Sequence, residues 1–516
     1  MYKRLKAIAA ALCATAAMWA CSDKTTEPDP VPTPQPVEAY LTVETVSGSP
    51  VAAGGGEVTV TVKSHRVPTA KTSDSWVTRK SSDRKDDVAT FIFTVAENTG
   101  AARTATITFT CEKLTATATI EQADGTPIEP DPIPVPSLDD IDNSVDYARA
   151  LAMGWNLGNQ FDAQNNGVAS ETAWGNQPTT PELFRALAAA GFRAVRIPIT
   201  WLGHFGEAPD YTLDQAWLDR IDEVIGYAHD AGLRAIINIH HDGGTWLDIK
   251  AAANDSKKNE AVTAQIKAMW TQIAERFKDH GQFLMFEAFN EIHDGGWGWG
   301  DNRKDGGKQY ATLNGWNQTF VDAVRATGGN NATRYLGIPG YCTNPSLTIE
   351  SLVLPTDPAK DRLLVAVHFY DPTEFAINAK YTEWGHTGSA SKKAGWGDED
   401  NVTSTFDALV NKYVKSGTGV YVGECGATTR SKDRDELFRL YYLEYVWKAG
   451  TDRGLPLFFW DNGSTSTGNE AFGLFNHATG AFIGKRSQPA AEIMKKAYYT
   501  TDPAYTLQSV YAGAPK

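Results

Sequence analysis

The chain is 516 residues long and carries a formal net charge of −14 at pH 7. This length exceeds what one ordinary hydrophobic core organises, so we expect more than one domain. The acidic balance argues against a nucleic-acid-binding surface, because such a surface needs a basic patch. Beyond the N-terminal segment, the sequence contains no apolar run long enough to cross a membrane.

The N-terminal segment, residues 1–21, has the pattern of an export signal. Basic residues precede an apolar run over residues 8–20, which is too short to span a bilayer. The run ends at Ala20, directly before Cys21, and this arrangement resembles a bacterial lipoprotein signal. The resemblance implies that Cys21 carries a lipid after cleavage, and that the protein is an exported lipoprotein of the outer membrane facing the cell surface. An ordinary cleavage site with an incidental cysteine is the alternative.

Two proline-rich linkers flank a β-rich segment. Residues 22–38 and 124–137 contain regularly spaced prolines, which favour extended, semi-rigid spacers. Between the linkers, residues 39–123 contain short segments in which apolar and polar residues alternate, with turn-forming residues between most of them. This pattern predicts a small all-β sandwich. The predicted strands are residues 41–46, 57–62, 91–95, 104–109 and 114–120.

The sandwich segment resembles a BACON domain in Ser75-Trp76-Val77, in residues 97–100 and in the closing residues 120–123. The resemblance implies a bacterial surface module for which carbohydrate binding has been suggested. Trp76 is the only tryptophan of the segment, so the aromatic ledge that a sugar-binding sandwich needs is not evident. A spacer role is therefore favoured over glycan binding, and both stay open.

From residue 138 to residue 516, segments typical of strands and helices alternate almost strictly. Alternation of this kind indicates a parallel sheet covered by helices, and eight repeats favour a closed (β/α)8 TIM barrel. The connection between the fifth and sixth strands contains no clear helix. The predicted strands are residues 154–157, 194–199, 235–240, 283–289, 334–338, 363–368, 420–424 and 457–460, and the predicted helices are residues 144–150, 181–190, 214–231, 260–279, 313–326, 405–414, 434–449 and 488–497.

Polar and aromatic side chains collect at the C-terminal ends of six predicted strands. Glu291 and Glu424 are the two carboxylates, and the ends of barrel strands are where TIM barrels hold their active sites. Two carboxylates on one apolar rim are costly unless they perform chemistry or bind a cation. The other members of the set are Arg196, His240, Asn290, His368, Tyr370 and Trp460.

Glycoside hydrolysis is a reaction that uses such a set without a metal or a cofactor. One carboxyl protonates the leaving oxygen, while the other attacks the anomeric carbon or activates water. An arginine beside a carboxylate keeps it ionised, which suits a nucleophile. An indole offers a flat floor for a sugar ring, and an asparagine beside the acid can bond the 2-hydroxyl of the sugar.

Other kinds of site are less well supported by the sequence. No glycine-rich nucleotide-binding turn follows a predicted strand, so no cofactor is expected. His240 and His241 are adjacent and would point to opposite faces of a strand, so no metal site is predicted. Cys111, Cys342 and Cys425 are odd in number and widely spaced, which argues against a disulfide framework. Whether Cys342 approaches Cys425 stays open.

Six short motifs together resemble the signature of glycoside hydrolase family 5, and the resemblance extends over about residues 138–500. Two further stretches, residues 154–159 and 171–175, resemble the endoglucanase and xyloglucanase branch of that family. The six motifs, in chain order, are Arg196-Ile197-Pro198, Ile239-His240-His241, Phe289-Asn290-Glu291, His368-Phe369-Tyr370, Gly423-Glu424 and Phe459-Trp460.

The family resemblance implies a role for each matched residue. Glu291 corresponds to the acid/base and Glu424 to the nucleophile of a retaining mechanism, with about 5 Å between the two carboxyls. Arg196 and Tyr370 would support Glu424, and His368 would lie close to both glutamates. The residues expected to bind substrate around the cleavage site are Asn156, His240, His241, Asn290 and Trp460.

The loop that follows Glu291 fits a polymeric substrate. Trp297 and Trp299 alternate with glycines there, and large aromatic side chains in such a loop are hard to bury. We therefore predict that both stack on sugar units flanking the cleavage site. For three other loop tryptophans, stacking and loop packing are equally open: Trp246, Trp384 and Trp396.

The leading hypothesis is an endo-β-1,4-glucanase that cuts a plant polysaccharide internally, with xyloglucan favoured. An endo-β-mannanase or a mixed-linkage glucanase on the same barrel is the enzymatic alternative, because loops select the sugar while strand ends perform the chemistry. A non-catalytic surface protein that binds glycans is the alternative from a different class. The expected partner is a β-glucan chain, with membrane contact only through the lipid anchor, no nucleic acid and a monomeric state.

Overall fold

The computed structural model describes residues 38–98, 100–123 and 141–516, which belong to two separate compact units. The first unit contains the described residues 38–123 and the second contains residues 141–516. The predicted signal with Cys21, most of the first linker and all of the second linker lie outside the described residues. Among the described residues, no helix has the length and apolar character needed to cross a membrane.

The first unit consists of two antiparallel sheets around one hydrophobic cluster, so the prediction of a small β domain is confirmed. The sheets have the strand orders β1-β2-β5-β4 and β3-β6-β7. In β2, alternate side chains such as Val58 and Val60 are fully buried, as the period-two pattern predicts. The strands are β1 (Leu41–Ser47), β2 (Gly56–Ser64), β3 (Thr69–Thr72), β4 (Val77–Lys85), β5 (Val88–Val95), β6 (Arg103–Cys111) and β7 (Leu114–Gln122).

Two strands of this unit were not predicted from the sequence. β3 is only four residues long, and β4 is an edge strand whose side chains are mostly polar and exposed. Neither has the apolar alternation that marks a half-buried strand. Charged edge strands of this kind limit pairing with other chains.

The second unit is a closed barrel of eight parallel strands, which confirms the predicted TIM barrel. The strands pair in chain order and the last returns to the first, with Trp460 opposite Asn156. A two-stranded hairpin, β9 (Gln164–Asn165) with β10 (Val168–Ala169), follows the first barrel strand. The barrel strands are β8 (Gly154–Leu157), β11 (Ala194–Ile197), β12 (Arg234–Ile237), β13 (Leu284–Glu287), β14 (Leu336–Pro339), β15 (Leu363–Phe369), β16 (Gly419–Cys425) and β17 (Leu457–Asp461).

Local capping signals explain where several helices begin and end. Asp214 accepts from the backbone N–H of Ala216 at the start of α3, and Gly191 takes a left-handed conformation (φ 102°) after α2. The helices are α1 (Ser144–Leu151), α2 (Pro181–Ala190), α3 (Gln215–Asp230), α4 (Ile249–Asn254), α5 (Ser256–Arg276), α6 (Lys308–Ala326), α7 (Pro345–Ser351), α8 (Thr373–Ala376), α9 (Glu399–Lys412), α10 (Asp433–Thr451), α11 (Gly484–Tyr499) and α12 (Leu507–Ala512).

The prediction that no helix connects the fifth and sixth barrel strands is wrong. Helix α7 lies there, with Pro345 in its first turn and the Asn344 side chain capping its N-terminus. Its seven residues give too little length for a helical period to stand out in the sequence.

The N-terminal end of the barrel is closed by apolar and aromatic side chains. Helix α1 packs there, and its Tyr147 stacks on Tyr335 with the ring centroids 3.8 Å apart. Met285 and Phe458 belong to the same buried cluster. Because this end is filled, the polar side chains at the opposite end of the barrel are left to line the accessible face.

Candidate active site

The C-terminal ends of the barrel strands bring the predicted site residues to one rim. The predicted strands extended to residues 199, 240 and 289, whereas the observed strands end at residues 197, 237 and 287. The loops that follow stay in register through cross-links between neighbours: His240 N–H donates to the Ile199 carbonyl at 2.7 Å, and Asn290 N–H donates to the Ile239 carbonyl at 2.9 Å. These backbone hydrogen bonds fix the positions of the loop residues at the rim.

Glu291 and Glu424 face each other across His368. The His368 Nδ1 atom lies 2.7 Å from Glu291 Oε1 and 3.6 Å from Glu424 Oε2. One ligand atom from each of the three side chains falls within 4.8 Å of the others. The Glu424 side chain is 8% exposed and that of Glu291 is 21% exposed. The two carboxyl groups therefore face each other across a narrow and largely buried space.

Arg196 is the central cation of the rim and is fully buried. Its Nη1 donates to Glu424 Oε1 at 2.7 Å and to Asn156 Oδ1 at 3.0 Å, and its Nη2 donates to Asn290 Oδ1 at 2.8 Å. Asn156 is held in turn by a donated bond to the Gly423 carbonyl at 2.9 Å. The sequence places these residues far apart, and the barrel joins them in a single hydrogen-bonded group.

The two carboxyls influence each other's protonation and titrate as a pair. Burial raises the pKa of Glu424, and the charge of Glu291 adds to that rise against the opposing charges of His368 and Arg196. Burial also raises the pKa of Glu291, but the hydrogen bond and charge of His368, together with the charges of His293 and Arg196, outweigh burial and leave the pKa below its ordinary value. This order depends on His368 carrying a proton, because a neutral imidazole supplies no charge.

Tyr370 and His240 keep defined protonation states beside Glu424. The Tyr370 hydroxyl donates to Glu424 Oε2 at 3.1 Å, and burial with the nearby glutamates raises its pKa well above the ordinary value. Burial lowers the pKa of His240 well below the ordinary value, so the imidazole is neutral at neutral pH. Its ring lies parallel to Trp460, with 5.9 Å between the centroids. Gly158 gives the indole space, since a Cβ there would lie 2.7 Å from the Trp460 ring.

The prediction that His240 and His241 point to opposite faces is wrong, because both residues follow the end of β12 rather than lie on it. Their ring centroids are 4.3 Å apart, and with Asp162 they offer three possible ligand atoms within 4.8 Å of one another. The Asp162 carboxylate already accepts the backbone N–H groups of Asn159 and Gln160, and His241 Nδ1 lies 3.1 Å from the Asp162 carbonyl. These hydrogen bonds fix the positions of Asp162 and His241.

A cleft of about 450 Å³ opens beside Glu291. Trp297 lines it with 60% of its surface exposed and packs against the His293 ring at 4.3 Å. Trp299 is 70% exposed. A larger hollow of about 580 Å³ lies around Asp142 and Arg362 near the closed end of the barrel, so size alone does not mark the site. The lining of the smaller cleft includes His240, His241, Asn290, Glu291, His293 and Trp297.

The other tryptophans and the cysteines singled out in the sequence differ in burial and in their contacts. Trp384 is buried and donates to the Gly397 carbonyl at 2.7 Å, which makes it a loop-packing residue. Trp246 is partly buried and donates to Asp242, whereas Trp396 stays 47% exposed. Cys342 and Cys425 are buried free thiols and do not pair with each other.

Three buried rim residues were not predicted as part of the site: Asn238, Glu287 and Tyr421. Glu287 Oε1 accepts from Arg196 Nη2 at 2.7 Å and from Asn238 Nδ2 at 2.9 Å, and its Oε2 accepts from the Tyr421 hydroxyl at 2.6 Å. The one sequence signal was a carboxylate inside an otherwise apolar strand, four residues before Glu291. A buried charge there requires a partner, and the barrel supplies Arg196.

Comparison with known proteins agrees with this geometry. Residues 158–466 match the family model for cellulase (glycosyl hydrolase family 5), and residues 66–123 match the BACON model, described as a putative N-terminal binding domain. Endoglucanase A of Paenibacillus barcinonensis is 37% identical over 346 residues, which cover 63% of this chain and 84% of the relative.

Two solved structures extend the comparison. A GH5-4 broad specificity endoglucanase from Bacteroides salanitronis is 59% identical, with a TM-score of 0.69, over 70% of this chain and 97% of that one. A Bacteroides ovatus GH5 xyloglucanase, in complex with a XXXG heptasaccharide, is 29% identical with a TM-score of 0.62 and covers 86% of this chain and 97% of its own. The chain therefore belongs to glycoside hydrolase family 5, among its endoglucanases, and carries a BACON domain ahead of the barrel.

Proposed function

We propose that the protein is a retaining endo-β-1,4-glucanase in which Glu424 is the nucleophile and Glu291 the acid/base. The observation that carries the proposal is the approach of the two carboxyls within 4.8 Å across His368. Retaining glycosidases hold their carboxyls about 5–5.5 Å apart, whereas inverting enzymes leave about 6.5–9.5 Å for a water molecule.

The reaction follows two displacements at one carbon. Glu424 attacks the anomeric carbon while Glu291 gives its proton to the departing glycosidic oxygen, so a glycosyl ester forms and the aglycone leaves. Glu291 then takes a proton from a water molecule, whose oxygen displaces Glu424 from the same carbon. Each step inverts the configuration, and the product retains that of the substrate.

The proton of the free pair belongs on Glu291 when His368 is neutral. Glu424 then accepts from Arg196, a permanent cation, and from the Tyr370 hydroxyl, and both contacts favour its charged form. Glu291 keeps only the bond from a neutral imidazole, and the charge of Glu424 opposes its ionisation. Unequal surroundings of this kind separate an acid from a nucleophile.

The roles can be tested with Glu424→Ala and added azide. Hydrolysis should be lost, and azide should restore cleavage of an aryl cellobioside as a glycosyl azide of inverted configuration, because the small anion occupies the space of the carboxylate. Glu444→Ala, a change at a glutamate paired with Lys496 away from the rim, is the matched control. Unchanged hydrolysis by Glu424→Ala would refute the assignment of Glu424 as the nucleophile, whereas absence of hydrolysis in the wild-type protein, with glycan binding retained, would favour the non-catalytic alternative.

We propose xyloglucan as the preferred polymer. Exposed Trp297 lines the open cleft, and exposed Trp299 lies two residues further along the same loop, which supports a long, bulky chain. One relative is named a xyloglucan-specific endo-β-1,4-glucanase from Bacteroides ovatus and is 34% identical over 353 residues. Initial rates and product sizes on xyloglucan, mixed-linkage glucan, carboxymethylcellulose and mannan test the choice. Xyloglucan should be cut fastest and to large fragments, and a preference for mannan would replace this proposal with an endo-β-mannanase.

For the N-terminal part we propose lipid attachment at Cys21, outer-membrane exposure and a spacer role for the BACON domain. The arrangement of Trp76 supports a spacer, because the Arg103 guanidinium covers its ring at 4.3 Å and leaves no bare aromatic ledge there. In the native host, Cys21→Ser should move the protein from the membrane fraction to the soluble fraction and abolish labelling by a radioactive fatty acid. Retained labelling would exclude Cys21.

A further inference from the structure

Glu287 is a buried carboxylate that the proposed reaction leaves without a role. It ends β13, and its side chain has no exposed surface. Burial raises its pKa, but the charge and hydrogen bonds of Arg196, together with His368 and Tyr421, outweigh burial and hold the pKa below its ordinary value. Glu287 is therefore a buried anion close to the reacting pair. Burying a charge costs free energy, so we expect an interaction that offsets this cost.

The surroundings are shaped to hold this anion in one position. Glu287 binds Arg196 with both carboxylate oxygens, at 2.7 Å to Nη2 and 3.1 Å to Nε. The Tyr421 hydroxyl donates to its Oε2 at 2.6 Å. A Cβ on Gly337 would collide with that hydroxyl, so the missing side chain on β14 is what admits the phenol. All the contacts act together to fix the plane of the guanidinium.

We propose that Glu287 is a positioning residue for catalysis: it holds Arg196 so that Nη1 points at Glu424, and it shares the positive charge of Arg196 so that Glu424 stays ionised yet remains a strong nucleophile. The inference rests on the proposed role of Glu424. Without the anion beneath it, Arg196 would place its whole charge on Glu424 and stabilise the carboxylate against attack.

The competing explanation is a buried ion pair that serves only stability. Arg325 and Asp357 form such a pair, with both side chains at most 6% exposed and two bonds of 2.8 and 2.7 Å. Arg325 also donates to the Asn331 carbonyl, away from the rim. Asp357→Asn therefore removes a buried negative charge from an arginine without reaching the reacting carboxyls, and it is the matched control for Glu287→Gln.

Several groups face the two anions, and each enters the interpretation of a pH profile. Those around Glu287 are Arg196, His368 and Tyr421. Those around Glu424 are Arg196, His240, Glu291, His368, Tyr370 and Cys425. Glu287→Gln removes one charge from this set, keeps the shape of the side chain and changes no residue that contacts Glu424 directly.

The test is the pH dependence of kcat/KM on an aryl cellobioside for the full chain and three variants. In Glu287→Gln the acidic limb should move down by about one pH unit, as expected for a lost neighbouring charge. The plateau of kcat/KM should fall about 10- to 100-fold as the nucleophile becomes weaker and less well aligned. Asp357→Asn should lose thermal stability and keep the wild-type limb.

Tyr421→Phe supplies an independent test with the opposite sign. Loss of the Tyr421 hydroxyl removes its hydrogen bond to Glu287 and leaves the charge of Glu287 concentrated on Arg196. Glu424 then experiences less positive charge, and the acidic limb should move up by less than one unit. If Glu287→Gln does not fold, this upward shift decides the proposal. Acidic limbs that stay at the wild-type pH in the folded variants would overturn it and leave Glu287 as a structural ion pair. A positive azide rescue of Glu424→Ala alongside that result would show that only the role of Glu287, and not the proposed mechanism, had failed.

Discussion

Buried polar side chains have different roles in the β-sandwich and at the rim of the barrel. In the sandwich, Asn98 and Gln122 are buried and donate to backbone carbonyls, such as those of Ala101 and Ala53, so they fix turns and strand ends. At the rim, Arg196 and Glu424 are buried as charges directed at one another. Neutral amides that satisfy carbonyls cost little to bury, whereas charges cost much more unless they are paired.

Because of this difference, we expect substitutions in the sandwich to affect stability and substitutions at the rim to affect activity. The sandwich core is apolar and its buried polar groups have local partners, so damage there should appear as unfolding of that unit. The rim concentrates charge that the rest of the barrel must support, as active sites commonly do. Substitutions in the sandwich should therefore change thermal unfolding, and substitutions at the rim should change the kinetics of hydrolysis.

The largest effect is expected for Glu291→Ala. General acid catalysis contributes roughly 10²- to 10⁴-fold, so kcat on polysaccharide should fall by that order. A dinitrophenyl cellobioside, whose leaving group needs no proton, should lose far less in the glycosylation step, and the basic limb of the kcat/KM profile should disappear. Equal losses on both substrates would show that Glu291 is not the acid.

Phe93→Ala should destabilise the sandwich by about 3–5 kcal/mol, because a fully buried aromatic ring leaves a cavity. Calorimetry should show a lower midpoint for one of two transitions, while turnover of a soluble glucan stays at the wild-type level. The conservative change Phe93→Leu should cost less. A parallel loss of turnover would show that the two units are coupled and would remove the distinction between the two regions.

Trp297→Ala should weaken polysaccharide binding by about tenfold, equal to roughly 1.4 kcal/mol, since an exposed stacking platform is lost. We expect KM for xyloglucan to rise and the hydrolysis of a short aryl cellobioside to change little. Trp396→Ala, which removes an exposed tryptophan outside the lining of the cleft, is the control. A matching rise in KM for Trp396→Ala would mean that exposure, and not position, explains the effect.

The smallest effect is expected when residues 39–123 are deleted. Turnover of soluble substrate should stay within about twofold of wild type, because every residue of the rim network lies in the barrel. Binding to insoluble polysaccharide is the second measurement. A marked fall in that binding would assign glycan recognition to the BACON domain and contradict its role as a spacer.

Much of the fold was predictable because its signals are local. Alternating apolar residues mark β2 and β5, and a proline start with a glycine end marks α2, so these elements could be placed to within a few residues. Several elements without a strong local period were not predicted, among them the short strand β3, the polar edge strand β4 and the seven-residue helix α7.

The residue types of the active site were evident from the chain alone, since the strand ends carry Arg196, Glu291 and Glu424 in a recognisable order. The tertiary structure decided how they meet. Closing the barrel brings carboxyls 133 residues apart in the chain (424 minus 291) to within 4.8 Å, and it turns His241 toward His240 once both leave the strand. The role of Glu287 also depends on the tertiary structure, because a buried charge needs a partner and its partner Arg196 is distant in the sequence.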